Sequence, residues 1–394
     1  MSTNFLHGVE LLEVESGTRP IATVRSSVVG IVGTAPDATA DAFPLNKPVL
    51  VTSSRDVAKL GATGTLRTAI EAIRDQAGAV IVVVRVDEGV TDAETRANVV
   101  GNSIELTGVY ALLAAESTVQ LQPRLLCAPG FTSHRDEDPA DPGKFLVSPV
   151  VGALETVAKQ LRATAFVEGP NTSDTDATGY AAQLGTTGRV YVVDPYVTKY
   201  DATGALFEVP GSAVAVGVQV RIDNEFGFWR SPSNQPVYNI AGLARPIDFV
   251  LGSDSSRANL LNEGNVATFI NQNGFRLWGN RVPTQDPRYQ FLCVRRTADI
   301  INDSILRAHL WAVDRGITKT YLQDVVDGVN AYLRTLRNLG AIVDGTCWAD
   351  PELNSPDQIA QGKVYFNFDF TPVYPAERVV FRSILTNDYL EELV

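Results

Sequence analysis

Apolar and polar positions alternate in short blocks along most of this chain, and the period of the alternation changes from block to block. From Ile21, IATVRSSVVGIVGTAP reads as a buried strand ended by a Gly/Pro turn. KPVLVTS from Lys47 is a second strand, after which Ser53 or Ser54 caps a helix from Arg55 to Leu60. TLRTAIEAIRDQAG sets Leu66, Ile70 and Ile73 on one helical face and stops at Gly78. AVIVVVRV from Ala79 is apolar throughout, as expected of a strand covered on both faces. The rhythm then repeats: RLLCAPGF, TAFVEGP and RVYVVDPYV are strands, and PVVGALETVAKQLRA and DATGYAAQLGTTG are the helices between them. Strands alternating with helices in this way predict a sheet with helices on its faces. Residues 209–245 lose the rhythm and read as loop-rich, with three prolines in RSPSNQPVYNIAGLARP.

A third region opens near Leu260. LNEGNVATFINQNGFRLWGNRV reads as a short helix, a turn at Asn273 and Gly274, and a strand. FLCVRRTADIINDSILRAHLWAVDR is a strand running into a long helix whose apolar face is Ile300, Ile301, Ile305, Leu306 and Leu310. TYLQDVVDGVNAYLRTLRNLG is a second amphipathic helix ending at Gly340. Two strands follow. Val364, Phe366, Phe368 and Phe370 alternate with polar positions, and Val379, Phe381, Ser383 and Leu385 alternate in the second segment beyond a Pro-bearing turn. Tyr389, Leu390 and Leu393 add apolar groups at the very end. At the other end Phe5, Val9, Leu11, Leu12 and Val14 are interleaved with acidic residues. An unpaired strand invites pairing with another chain, and monomeric proteins usually suppress it. The C-terminal end does not, while the N-terminal segment shows only weak one-sided alternation.

Composition narrows the possibilities. The 394 residues are 45% hydrophobic and 20% charged, a globular balance with material for two or three domains. A formal net charge of −12 argues against general nucleic-acid binding, which needs clustered Lys and Arg. Cys127, Cys293 and Cys347 are far apart, so a disulfide framework is not expected and a reducing cytoplasm fits. MSTNFLHGVE has neither the basic nor the apolar part of a signal peptide, and AVIVVV is far too short to span a bilayer.

Catalytic signatures are sparse. His7, His134 and His309 are isolated from one another and from cysteine. There is no phosphate-binding P-loop, no G-x-G-x-x-G after a strand, and no G-x-S-x-G. HRDEDPADPG groups Asp136, Glu137, Asp138 and Asp141, but without calcium-loop spacing, so a solvated loop is expected. No cofactor and no metal are expected. An enzyme with a nucleotide-binding α/β domain around AVIVVVRVDEG is a rival reading that the missing glycine fingerprint opposes.

Several stretches together resemble the tail sheath proteins of contractile bacteriophage tails, of the short kind found in P2-like phages and R-type bacteriocins. They are FLHGVELLEVESGTRPI leading into SSVVGIVGTAP, then RLLCAPGF, VGVQVRIDNEFGFWR, SPSNQPVYNIAGL, LNEGNVATFINQNGFRLWGNRV, FLCVRRTADIINDSI and GKVYFNFDFTPVYPAERVVFRSI, which run in family order along nearly the whole chain. The resemblance implies a two-domain α+β protein. A strand-donating arm at 1–20 precedes an outer α/β domain with a mixed sheet at 21–259. An inner, tube-facing α+β domain follows at 260–386, then a second arm at 387–394. It implies a structural subunit that stacks in six-fold rings around an inner tail tube and contracts to drive the tube through a bacterial envelope. Its partners would be itself, the tube protein, and baseplate and tail terminator proteins. No nucleic acid, membrane insertion or cofactor is implied. Such a subunit is assembled in the host cytoplasm and ends in the virion or particle tail. A non-contractile self-assembling shell protein remains the other assembly reading.

Under this resemblance the arm residues that would cross between subunits are Val9, Leu11, Leu12, Val14, Val379, Phe381, Ile384, Leu385, Tyr389, Leu390 and Leu393. Residues 379–385 could instead complete their own domain's sheet, leaving only 387–394 to cross. Between Leu261 and Arg337 ten Lys and Arg stand against seven Asp and Glu, a local excess of positive charge in an acidic chain. Arg307, Arg315, Lys319, Arg334 and Arg337 are therefore candidate tube-facing groups.

Overall fold

The computed structural model describes residues 20–185, 188–387 and 389. The chain divides into two compact units, one of Ser27–Arg296 with Tyr374–Val394 and one of Met1–Ser26 with Thr297–Val373.

The larger unit begins with β1 (Val29–Thr34), β2 (Pro48–Val51), α1 (Ser54–Ala58), α2 (Leu66–Gln76), β3 (Ile81–Val86), α3 (Asp92–Val100) and α4 (Ala115–Val119). β4 (Leu125–Cys127), α5 (Pro149–Leu161), β5 (Thr164–Glu168), α6 (Asp174–Gln183), β6 (Val190–Val193), β7 (Val197–Tyr200), β8 (Leu206–Val209) and α7 (Gly211–Glu225) follow. β9 (Gln235–Pro236), β10 (Gly242–Leu243), α8 (Arg257–Glu263), β11 (Val266–Asn271) and β12 (Phe275–Trp278) precede α9 (Leu292–Ala308), within which the division falls.

Among the described residues, nine strands form one mixed sheet in the order β2-β3-β1-β4-β5-β6-β11-β12-β9. The six from β3 to β11 are parallel, while β2 and β12 each pair antiparallel with their neighbour. Every residue of β1 and β5 is buried, as expected of strands covered on both faces. One face packs Ile31, Val83 and Phe166 against α2 and α7, and the other packs Val32, Val82 and Val167 against α5. The apolar strand-and-helix alternation of the sequence is thus the alternation of a sheet covered on both sides. β7, β8 and β10 form a separate three-stranded sheet.

Four expectations are corrected here. Residues 209–245 are not mainly loop, because α7 occupies 211–225 and is buried from Gly211 to Ile222. A helix buried on every side has no exposed polar face and so shows no helical period. It also approaches α2 closely: a Cβ on Gly217 would lie 2.6 Å from the Ile73 carbonyl oxygen. Second, the large fold does not end near Leu260. β11 adds parallel to β6 and β12 pairs with β11, so this hairpin belongs to the nine-stranded sheet, and its first arm is strand rather than the turn approach expected. Third, the strand expected from Ile21 begins only at Val29. Val24 N–H instead donates to Ser304 Oγ at 3.1 Å and Thr23 meets the Tyr332 hydroxyl at 3.2 Å, within the smaller unit. Fourth, the strand expected at FLC shrinks to a single antiparallel bridge between Phe291 and Arg281, and Leu292 and Cys293 already open α9.

The smaller unit contains the end of α9, α10 (Lys319–Asn338), β13 (Ile342–Ala349), α11 (Pro356–Ala360) and β14 (Phe366–Pro372). Thr318 caps α10 by accepting the Tyr321 N–H at 3.1 Å. Val325, Val329, Leu333 and Leu336 form its buried stripe. β13 and β14 pair antiparallel and, among the described residues, no third strand joins them. Two strands alone are marginally stable in water, so packing against α10 matters to this pair.

Candidate assembly surfaces

Two surfaces stand out for what they leave uncovered. The first is the segment after β14. Pro372 ends the strand and Pro375 follows, so the backbone loses two donors in four residues. Tyr374 then meets the Phe291 ring edge-on, with centroids 6.3 Å apart. Glu377 accepts from Arg281 Nε at 2.7 Å and Nη2 at 2.6 Å, a bidentate pair. That clasp holds the root of the segment on the larger unit.

Beyond it residues 378–386 form no helix or strand and, among the described residues, join no ladder. The second of the two strands expected from the alternation is therefore not formed among the described residues, where residues 379–385 complete no sheet. Val379, Ile384 and Tyr389 are exposed, and Phe381 and Leu385 are 92% and 99% exposed. Side chains this apolar are usually left in water only where another molecule covers them. Leu390 and Leu393, together with Val9, Leu11, Leu12 and Val14 at the other end, lie outside the described residues.

The second surface is the exposed side of α9, α10 and the turn between them. Arg307 donates to Asp303 Oδ2 at 2.8 Å one turn earlier. Arg315 lies over the Trp311 ring at 5.3 Å. Arg337 pairs with Asp344 at 3.4 Å. Lys319 and Arg334 are exposed on α10. Lys319 and Arg337 lie about five turns apart at about 3.6 residues per turn, so they share one line along the helix, with Arg334 close to it. Exposed Leu306, Leu310 and Val313 lie beside Arg307 and Arg315 in the sequence. The five cations are thus gathered in one unit, two of them held by carboxylates.

Several buried titratable groups of the larger unit are committed to structure. Glu168, wholly buried, accepts from Gly130 N–H (2.7 Å), Thr132 N–H (3.2 Å) and Ser212 Oγ (2.6 Å). Burial pushes its carboxyl pKa up against those hydrogen bonds. It ties the loop after β4 to β5 and α7. Asp194 is likewise raised by burial, with Arg245 opposing, and Arg245 also bonds Asp174, which in turn receives Arg257 Nε at 2.6 Å. Arg296 donates bidentately to Asp223 at 2.6 and 2.5 Å, joining α9 to α7 inside the larger unit. None of these was foreseen from sequence, because partners 73 residues apart leave no local signature.

The three cysteines are buried and none is in a disulfide; burial raises their thiols, to about 12 at Cys293 and about 11 at Cys347. A thiol so shifted is a poor nucleophile at neutral pH. His134 sits in an exposed loop 3.1 Å from Asp136. In the same loop Asp138 accepts from Ala140 N–H and Asp141 pairs with Lys144. Among the described residues no group of three or more His, Cys, Asp or Glu is arranged to hold a metal.

Comparison with known proteins accounts for nearly the whole length. Three family models match in succession: the tail sheath protein Gp18 domain III N-terminal region over residues 26–86, the phage tail sheath protein central domain over 105–282, and the phage tail sheath C-terminal domain over 284–386. A prophage major tail sheath protein of Pseudomonas aeruginosa (strain UCBPP-PA14) is 43% identical over 99% of both chains. The tail sheath protein of Escherichia phage P2 is 37% identical, covering 100% of this chain and 98% of that protein. Among solved structures, the helical sheath of the anti-feeding prophage in its contracted state superposes with a TM-score of 0.70 at 17% identity, covering 98% of this chain and 100% of that one.

Proposed function

The chain belongs to the phage tail sheath protein family, and on that premise we propose that it polymerises into the contractile sheath of a phage tail or related particle, its copies laced together by donated strands. Copies stack as six-fold rings around an inner tube, and the assembled sheath shortens to drive that tube through a bacterial envelope. The role is mechanical. The observation that carries this reading is the run of exposed apolar side chains at 379–385, anchored at its root and unpaired beyond it.

The energetics decide what such an arm must do. Main-chain hydrogen bonds net roughly 0.5–1.5 kcal/mol each. Ordering each residue costs about 1–2 kcal/mol, so the bonds alone do not hold a neighbour. Burying Phe381, Ile384 and Leu385 adds roughly 1.5–3 kcal/mol apiece, which makes the side chains the larger contribution. A second arm, at the N-terminal end, raises the effective concentration of the first. Strand donation to the next copy is a heterologous contact, and one that does not close on itself builds a helix.

In this reading the smaller unit faces the tube through Arg307, Arg315, Lys319, Arg334 and Arg337. Baseplate and terminator proteins bound the sheath at its two ends. Negative-stain microscopy of the purified full chain should reveal wide hollow tubes or helical sheaths. A discrete monomer or dimer that never polymerises, with or without tubes, would sink the proposal. Charge reversal at Lys319, Arg334 and Arg337 together should weaken assembly on tubes while leaving tube-free polymerisation intact. Equal loss of both would remove these cations from the tube-facing surface.

A further inference from the structure

We propose that Arg281 and Phe291 are positioning residues for assembly: they hold the root of the C-terminal segment through Glu377 and Tyr374, so that a second copy captures residues 379–385 from a fixed point of departure and not from a loose tail. This rests on the strand-donation reading above and adds which residues of the donor prepare the segment for capture.

The clamp is set in place by parts of the larger unit that the segment does not supply. Arg281 and Phe291 face each other in a single antiparallel bridge, flanked by Val282 N–H donating to the Gln290 carbonyl and Leu292 N–H donating to the Asn280 carbonyl, each at 2.9 Å. Phe291 is buried with Cys293, Val294 and Tyr289 and stands directly before α9. The Arg281 guanidinium lies over its ring at 5.9 Å. An arginine fork on the Glu377 carboxylate fixes direction as well as distance, and the edge-on rings of Phe291 and Tyr374 add a second point of contact.

The segment is shaped to match. Tyr374 and Glu377 are three positions apart, and between them Glu377 N–H donates to the Pro375 carbonyl at 3.0 Å, a tight turn. Pro372 and Pro375 fix φ on the way. Residues 372–377 are thus restrained by proline rings, a turn and two side-chain contacts. The restraint stops there: among the described residues, no hydrogen bond or ion pair holds 379–385.

This division changes what capture costs. Thirteen links separate Pro372 from Leu385, and eight separate Glu377 from it. The local concentration of a flexible chain's end falls with about the 3/2 power of its length, so the clamp by itself raises that of the segment roughly twofold. The conformational freedom of residues 373–376 is also given up when the donor folds and not when the second copy binds, which is preorganisation. A partly exposed ion pair and one aromatic pair each shift an equilibrium a few-fold; together they favour the clamped root by about tenfold, and loss of either is enough to be read.

Brief trypsin digestion of the full chain, kept below the concentration at which polymers appear, tests the clamp without assembly. Arg378 and Arg382 are both exposed; the first adjoins the clamp and the second lies in the free part. Cleavage after Arg382 should run about tenfold faster than after Arg378, because cutting tracks the open population. R281Q, E377Q and Y374A should each speed the cut after Arg378 by about threefold and leave the cut after Arg382 unchanged. In sedimentation the same variants should raise the concentration at which polymers appear by about two- to fivefold. Equal cleavage at the two sites in the unmodified chain would overturn the clamp. Variants that free Arg378 without moving the polymerisation threshold would overturn its positioning role and leave strand donation standing. A threshold moved by R281Q but not by E377Q would give Arg281 a packing role on Phe291 and overturn the inference as well. An unmodified chain that never polymerises is the failure of the strand-donation reading itself, seen before any variant is made, and this inference falls with it.

Discussion

Strand β3 and residues 379–385 have nearly the same apolar character and opposite surroundings. Ile81, Val82, Val83, Val84 and Val86 are all within 2% of complete burial. Val379, Val380, Phe381, Ile384 and Leu385 are all at least 65% exposed. The difference lies in position, not in composition. β3 is flanked by β1 and β2 and roofed by helices. The later segment follows two prolines, and its root is held by Arg281 through Glu377. An apolar run says that a segment will be buried; it does not say whose residues will bury it.

The comparison can be broken at several points, and the effects on the isolated chain should fall in a definite order. Phe166→Ala, in the fully buried sheet and edge-on to Tyr191, should lower stability by about 3–5 kcal/mol in chemical denaturation. Asp174 comes next. Burial pushes its pKa up, but hydrogen bonds and charge from Arg257 and Arg245 outweigh burial and hold it below the ordinary 3.8. A lowered folded pKa contributes stability above the unfolded value, and that contribution is lost as pH falls through the folded one. Asp174→Asn should therefore reduce the melting temperature at neutral pH and flatten its decline below about pH 4, checked by thermal scans from about pH 2 to pH 6. A decline as steep as that of the unmodified chain would assign the acid sensitivity elsewhere.

Arg281→Gln removes a pair about one-third exposed on both sides, so its stability cost should be only about 0.2–1 kcal/mol and should shrink with added salt. A larger, salt-independent loss would mean that the guanidinium acts through packing on Phe291. The smallest effect on the isolated chain is the most informative. Phe381→Asp with Leu385→Asp should leave stability within about 0.5 kcal/mol, because neither side chain packs on its own chain. The same double change should abolish polymerisation in sedimentation runs. If polymers persist, the exposed run is not the adhesive segment.

What could be read in advance follows from how far each signal reaches along the chain. β1, β3, α2 and α10 were legible because a period of two, an unbroken apolar run or a helical stripe is written within a dozen residues. α7 was not, since burial on all sides erases the period on which such a reading depends. β13 escaped notice because Asp344 and Gly345 interrupt its apolar positions. The extension of the large sheet through β11 depended on a pairing with β6 some seventy residues earlier, which no window contains. The exposed apolar tail was legible as a hazard. Its clasp was not: Arg281 and Glu377 are 96 positions apart and each looks like an ordinary surface charge.

The clasp at Glu377 also acts as a tether point. From there to Leu385 the chain has eight residues, and a fully extended chain advances about 3.3–3.6 Å per residue, a reach of roughly 26–29 Å. In the proposed assembly, the surface that receives the arm on a second copy would have to lie inside that radius at every stage of assembly and shortening. Arg281 would then do more than hold the root of the arm: it would set how far two neighbouring subunits could be drawn apart before the lacing between them goes taut.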